Sequence, residues 1–103
     1  MRKEEVEWKR YKGDKPIMMK HGFNLFLRPN CEYSRKRFIY KIAESNEIDF
    51  LKENWCFPLS KDFVCLDIGA NIGYWSKFLA DILKVKHVYS FEPDPISFRI
   101  LKN

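Results

Sequence analysis

Phe63-Val64-Cys65-Leu66-Asp67-Ile68-Gly69-Ala70-Asn71-Ile72-Gly73 passes from a continuous apolar run into a turn flanked by two glycines. Such a run reads as a strand covered on both faces, as in a parallel sheet. Beyond it, Ile72, Trp75, Phe78, Leu79, Ile82 and Leu83 fall on one face of a helical period, and Lys77, Asp81 and Lys84 on the other. Val85-Lys86-His87 leads to a second apolar run, Val88-Tyr89-Ser90-Phe91, which ends in Glu92-Pro93-Asp94-Pro95. Asp94 suits a helix N-cap and Pro95 the first helical position, opening a helix through Ile96, Ile100 and Leu101. Strand, glycine turn, helix and strand predict a βαβ unit.

Ligands of such a unit bind outside the carboxyl ends of the strands. Gly69 and Gly73 lack a Cβ, so the chain can turn sharply and approach a ligand closely there. The helix that follows is expected to aim free N–H groups and its positive end at the turn. Glu92 stands 23 positions after Gly69, near the spacing expected of a carboxylate that reads ribose hydroxyls. The dinucleotide pattern G-x-G-x-x-G is not met, because Asn71 occupies the place of the central glycine that admits a pyrophosphate. No phosphate loop of the type G-x-x-x-x-G-K-[ST] occurs either. Asp67 at the strand end suits a cationic amino or sulfonium group better than a pyrophosphate. A ligand with a ribose, a cationic group and no phosphate chain is predicted, and S-adenosylmethionine meets those terms.

Val64-Cys65-Leu66-Asp67-Ile68-Gly69-Ala70-Asn71-Ile72-Gly73-Tyr74-Trp75-Ser76, then Phe91-Glu92-Pro93-Asp94-Pro95 and finally Leu101-Lys102-Asn103, resemble the FkbM-type S-adenosylmethionine-dependent methyltransferases over about residues 62–103. The resemblance implies a Rossmann-like α/β domain and O-methyl transfer to a hydroxyl of a sugar or natural product. By that likeness Asp67, Gly69, Ala70 and Asn71 line the methionine end of the cofactor. Gly73 of the same turn is also expected to bind the cofactor, Glu92 holds the ribose, and Pro93 and Asp94 flank the adenine. No metal ligand and no catalytic residue is assigned.

Upstream the likeness is weaker, and three segments are expected. Residues 1–15 are polar and read as frayed or loosely attached. Residues 16–60 form a lead-in. There Ile17-Met18-Met19 and Phe23 to Leu27 make a hairpin about His21-Gly22, closed by Pro29-Asn30. Phe38-Ile39-Tyr40 with Ile42 reads equally as a third extended piece or a helix start. Glu47 to Phe57 has Ile48, Leu51 and Trp55 at helical spacing, with Ser45 or Asn46 as N-cap and Pro58 as stop. Residues 61–103 are the first βαβ of the methyltransferase domain, expected to be truncated with an incomplete parallel sheet. Two parallel strands leave apolar surface and open edges, so a second polypeptide completing the sheet is an expected partner, and no activity is expected of the fragment by itself.

Composition narrows the alternatives. Among 103 residues, 46% are hydrophobic and 17% aromatic, too apolar for a disordered tail. No stretch approaches the roughly 20 apolar residues of a membrane span, and Met1–Arg10 does not resemble a signal peptide, so a cytoplasmic protein without a membrane partner is expected. Cys31, Cys56 and Cys65 show no C-x-x-C spacing, and only His21 and His87 could join them, which argues against a zinc site or a disulfide framework. The net charge of +5 is confined to residues 1–61, where 14 Lys and Arg face 9 Asp and Glu. Acidic residues interleave that excess, and Arg35-Lys36-Arg37 reads as solvated charge, so nucleic acid is not expected as a partner. The alternative function is a non-enzymatic binding module whose basic N-terminal face contacts a phosphate-rich partner. A nicotinamide enzyme is a third reading, against which Asn71 argues. Cys65, Trp75 and Phe78 are read as core, Tyr74 as a surface or pocket-wall residue, and His87 as a strand-edge residue.

Overall fold

The computed structural model describes residues 2–54 and 59–103, without the side chains of Lys52, Leu59 and Ser60. In chain order the elements are α1 (Lys3–Arg10), β1 (Ile17–Met18), β2 (Asn24–Leu25), α2 (Glu32–Tyr40) and α3 (Ser45–Asn54). A 3-10 turn at Leu59–Asp62 then leads into β3 (Val64–Ile68), α4 (Tyr74–Lys77) with a π-helical continuation at Phe78–Ile82, β4 (His87–Phe91) and α5 (Pro95–Leu101). The chain is a mixed α/β protein with a two-stranded antiparallel hairpin and a separate two-stranded parallel sheet.

The parallel sheet is built as the apolar runs dictate. β3 and β4 pair in register from Val64 opposite His87 to Ile68 opposite Phe91, so both strands end level. One face is covered by the α4 segment, whose Phe78 is fully buried together with Leu83 and Val85 beyond it. The opposite face is bare among the described residues: Val64, Leu66 and Ile68 are 54%, 65% and 73% exposed, and Tyr89 and Phe91 about half. The runs are patterned for cover on both faces but have it on one, and the other shows the apolar surface expected of two parallel strands without further neighbours. An apolar run that ignores the two-residue alternation prepares both faces for burial, but only the face that receives α4 has a partner here.

The α4 segment departs from a regular helix. Only four residues are α-helical before the Leu83 N–H donates to the Phe78 carbonyl, five positions back. The expected apolar face survives this change, with Ile72, Phe78 and Leu83 buried and Asp81 and Lys84 exposed. Four α-helical residues do not build the positive end expected at the turn, since many aligned peptide units are needed to produce that field.

Upstream, the hairpin forms as expected. Ile17 pairs with Leu25 and Met18 with Asn24, and Gly22 at φ 96° supplies the turn. The segment at Phe38-Ile39-Tyr40 resolves as the end of helix α2. Helix α3 starts at Ser45 itself, preceded by Glu44 at φ 46°, so neither Ser45 nor Asn46 stands outside it as an N-cap. Trp55, Cys56, Phe57 and Pro58 lie outside the described residues.

The largest correction is at the N-terminus, where residues 3–10 form a docked helix. Glu4 and Glu5 stand in its first turn and Lys9 and Arg10 in its last, complementing the helix dipole. Trp8 stacks on Tyr11 at 5.8 Å between ring centroids, and both meet Phe38 of α2 at 5.5 and 5.7 Å. Polar composition pointed to fraying, but two aromatic anchors at the carboxyl end of α1 bury enough surface to hold it. Nor is Arg35 merely solvated: it pairs with Glu5 of α1 at 2.5 Å and with Glu32 at 3.0 Å. Among the described residues no helix is long and apolar enough to cross a membrane.

Candidate functional site

Because β3 and β4 end level, the two segments that follow them meet. The Gly69 and Ala70 N–H groups both donate to the Phe91 carbonyl at 2.9 Å, which draws the glycine turn across the end of β4. The turn needs left-handed backbone at three points: Gly69 at φ 74°, Asn71 at φ 56° and Gly73 at φ 100°. Asn is among the few residues with a side chain that tolerates this region. A Cβ placed on Gly69 would have no neighbour within 4 Å, so the backbone there faces open space. At Gly73 a Cβ would stand 2.7 Å from Leu101 Cδ1, where the end of α5 rests on the turn.

Glu92 closes the arrangement. Its Oε1 accepts the Asn71 N–H at 2.7 Å and its Oε2 accepts the Asp94 N–H at 2.9 Å. One carboxylate thereby ties the strained turn to the start of α5. Asp67 lies on the covered face near the carboxyl end of β3, where its Oδ2 accepts from the Ser76 hydroxyl at 2.7 Å. Ser76 also lies 2.5 Å from the Ser90 hydroxyl, so a polar chain of three side chains runs between β3, α4 and β4. Replacing Ser76 by alanine is expected to destabilise the fold by about 1–3 kcal/mol, because buried acceptors lose their partner, offset by roughly 0.5 kcal/mol of helix propensity. Urea unfolding measures it, and an unchanged midpoint would show that the chain of hydroxyls carries no stability.

Asp94 is the N-cap of α5, its Oδ1 accepting from the Ile96 N–H at 2.9 Å and the Ser97 N–H at 3.4 Å. Its Oδ2 accepts from Arg28 Nη1 at 3.1 Å, and the same nitrogen reaches the Ser97 hydroxyl at 3.2 Å. The Ile96 N–H, then the Arg28 guanidinium, then the Ser97 N–H hold the Asp94 carboxyl below the usual aspartate range. A depressed carboxylate stabilises the fold above its unfolded value near 3.8, and that contribution is lost as pH falls through the folded value. Arg28→Gln is expected to raise the Asp94 pKa toward its ordinary value, read by carbon NMR of the side-chain carboxyl. An unmoved titration would mean that the backbone cap alone sets it.

The structure therefore brings Asp67, Gly69, Ala70, Asn71, Gly73, Glu92, Pro93 and Asp94 to one end of the parallel sheet. Tyr74 is not part of a pocket wall but a core residue, edge-on to Phe23 at 5.0 Å. Its hydroxyl lies beside the Ala43 backbone without a hydrogen bond of ordinary geometry, and burial pushes its pKa up. Arg28 was not legible as a site neighbour, since it lies 66 positions before Asp94 and no spacing rule joins a hairpin end to a helix cap. Among the described residues no group of three or more His, Cys, Asp or Glu side chains is placed to hold a metal ion. Compared with protein-family models, with curated proteins and with solved structures, the chain finds no match in any of the three.

Proposed function

We propose that this end of the sheet binds S-adenosylmethionine. In this reading residues 61–103 are the first βαβ of a Rossmann-like, FkbM-type methyltransferase acting on a hydroxyl of a sugar or natural product. The observation that carries the reading is the Glu92 carboxylate lying against a glycine turn at the level ends of two parallel strands. Each Glu92 oxygen spends one acceptor position on a main-chain N–H and keeps capacity for a further donor, as two adjacent ribose hydroxyls require. The open space over Gly69 gives a ligand access to the backbone. The Asn71 N–H is already taken by Glu92, which disfavours a pyrophosphate at the turn and with it a nicotinamide cofactor.

When bound, the cofactor supplies a methyl group on a sulfonium, an electrophile strong enough for positioning of the acceptor to account for much of the rate. The chain's own contributions are to orient and to hold charge. Ser76 fixes one oxygen of Asp67, whose negative charge suits a cationic amino or sulfonium group. Asp94 is committed to capping α5 and to Arg28, so its part beside the adenine is to set the position of α5. No side chain is assigned as general base. The bare face of the sheet supports the further expectation that turnover requires a second polypeptide over it.

Calorimetric titration of the full chain with S-adenosylmethionine and, separately, with NAD tests this directly. Saturable heat with the first and none with the second is expected. The reverse preference, or neither ligand binding to a folded chain, removes the reading.

A further inference from the structure

A second hollow, sharing no residue with the glycine turn, lies between α1, the loop at residues 11–16, β1 and the end of α2. It has a volume of about 720 Å³, within the range of small-molecule sites. Its floor is apolar, with Tyr11, Phe38 and Ile17, and its rim is charged. Arg10, Lys12, Lys15 and Lys41 line it against only Glu7 and Asp14, a formal balance of +2.

These cations differ from others of the basic N-terminal part. Arg2, Lys3, Arg28 and Arg35 each sit in an ion pair with a carboxylate. Arg10, Lys12 and Lys15 make none among the described residues. Lys41 turns inward, its Nζ donating to the Phe38 carbonyl and standing 4.2 Å from the centroid of the Phe38 ring. Burial pushes the Lys41 pKa down, a desolvation penalty that an anion in the hollow would oppose.

The walls are built rather than incidental. The Tyr11 hydroxyl donates to the Lys15 carbonyl at 2.7 Å and accepts from the Leu27 N–H at 3.1 Å, pinning the loop to the hairpin. Gly13 turns at φ 77° with Pro29 so close that an added Cβ would stand 3.1 Å from its ring. A loop fixed in this way presents Lys12 and Lys15 with little backbone ordering left to occur at binding.

We propose that this cleft binds a phosphate monoester carrying a flat apolar body. The phosphate, close to a dianion at neutral pH, matches the +2 balance of the rim. The apolar body lies against the aromatic floor, with Lys41 at the junction between the two. The site is independent of the methyltransferase reading, because it shares no residue with the glycine turn.

The test is an amide NMR titration of the full chain with phenyl phosphate at low salt. Saturable shifts confined to residues 10–18 and 38–41 are expected. Inorganic phosphate, lacking a ring, should bind roughly tenfold more weakly or worse. Lys12→Glu with Lys15→Glu should weaken phenyl phosphate by roughly tenfold or more, whereas Lys36→Glu, exposed and outside the cleft, should change it less than about twofold. Three results would overturn the proposal: no saturation by a folded chain, equal affinity for inorganic phosphate, or equal losses in the two charge-reversed variants. Arg10→Gln provides an independent check on the rim, with a weaker affinity expected; unchanged affinity would count against the site.

Discussion

Replacing Phe78 by alanine is expected to cost about 3–5 kcal/mol, a large part of the stability of a domain of this size. Phe78 is fully buried where the hairpin meets the parallel sheet. Its ring meets Trp75 at 5.7 Å, His21 at 5.9 Å and Phe23 at 6.4 Å, so one side chain joins both halves of the molecule. Domains of this size are stable by only about 5–15 kcal/mol, and the bare sheet face puts this chain toward the lower end of that range. Guanidinium unfolding followed by near-ultraviolet circular dichroism gives the number. A loss below about 1 kcal/mol would mean that the two halves do not share a core.

The second large effect concerns Glu92. Glu92→Gln is expected to weaken S-adenosylmethionine binding by roughly 10- to 150-fold, the equivalent of about 1.5–3 kcal/mol for a charge-assisted hydrogen bond. The glutamine carbonyl still accepts one of the two main-chain N–H groups but its NH2 faces the other, so the thermal midpoint should also fall, though by less than in Glu92→Ala. Glu92→Ala removes both acceptors, leaving the Asn71 N–H without its partner in a left-handed turn, and should lower both affinity and stability. Titration calorimetry beside thermal unfolding separates the two. Wild-type affinity in a folded Glu92→Gln protein would take the ribose-holding role away from this residue.

The parallel sheet was the most legible part of the fold, for reasons that can be named. Two apolar runs with a glycine turn between them fix strand, turn and strand locally, and Asp94-Pro95 marks the start of α5 through cap chemistry that needs no distant partner. Periodicity also found the buried side of the α4 segment, but not its passage into a π turn, since both forms put Phe78 and Leu83 inward. Docking of α1 was hidden because it depends on Trp8 and Tyr11 meeting Phe38, some 30 positions on, which composition does not register. At the site, residue types and spacing brought Asp67, the turn and Glu92 into view. What Glu92 holds in place, and the arrival of Arg28 at Asp94, depend on the register of two strands and on long-range packing.

The most direct test of the cofactor site is an amide NMR titration of the full chain with S-adenosylhomocysteine, the demethylated form of the cofactor. Saturable shifts centred on Gly69–Gly73 and Glu92–Asp94, with little movement at residues 10–18, are the predicted result. A folded chain whose spectrum does not change, or one whose shifts avoid the glycine turn, would contradict an adenosyl cofactor at the ends of β3 and β4.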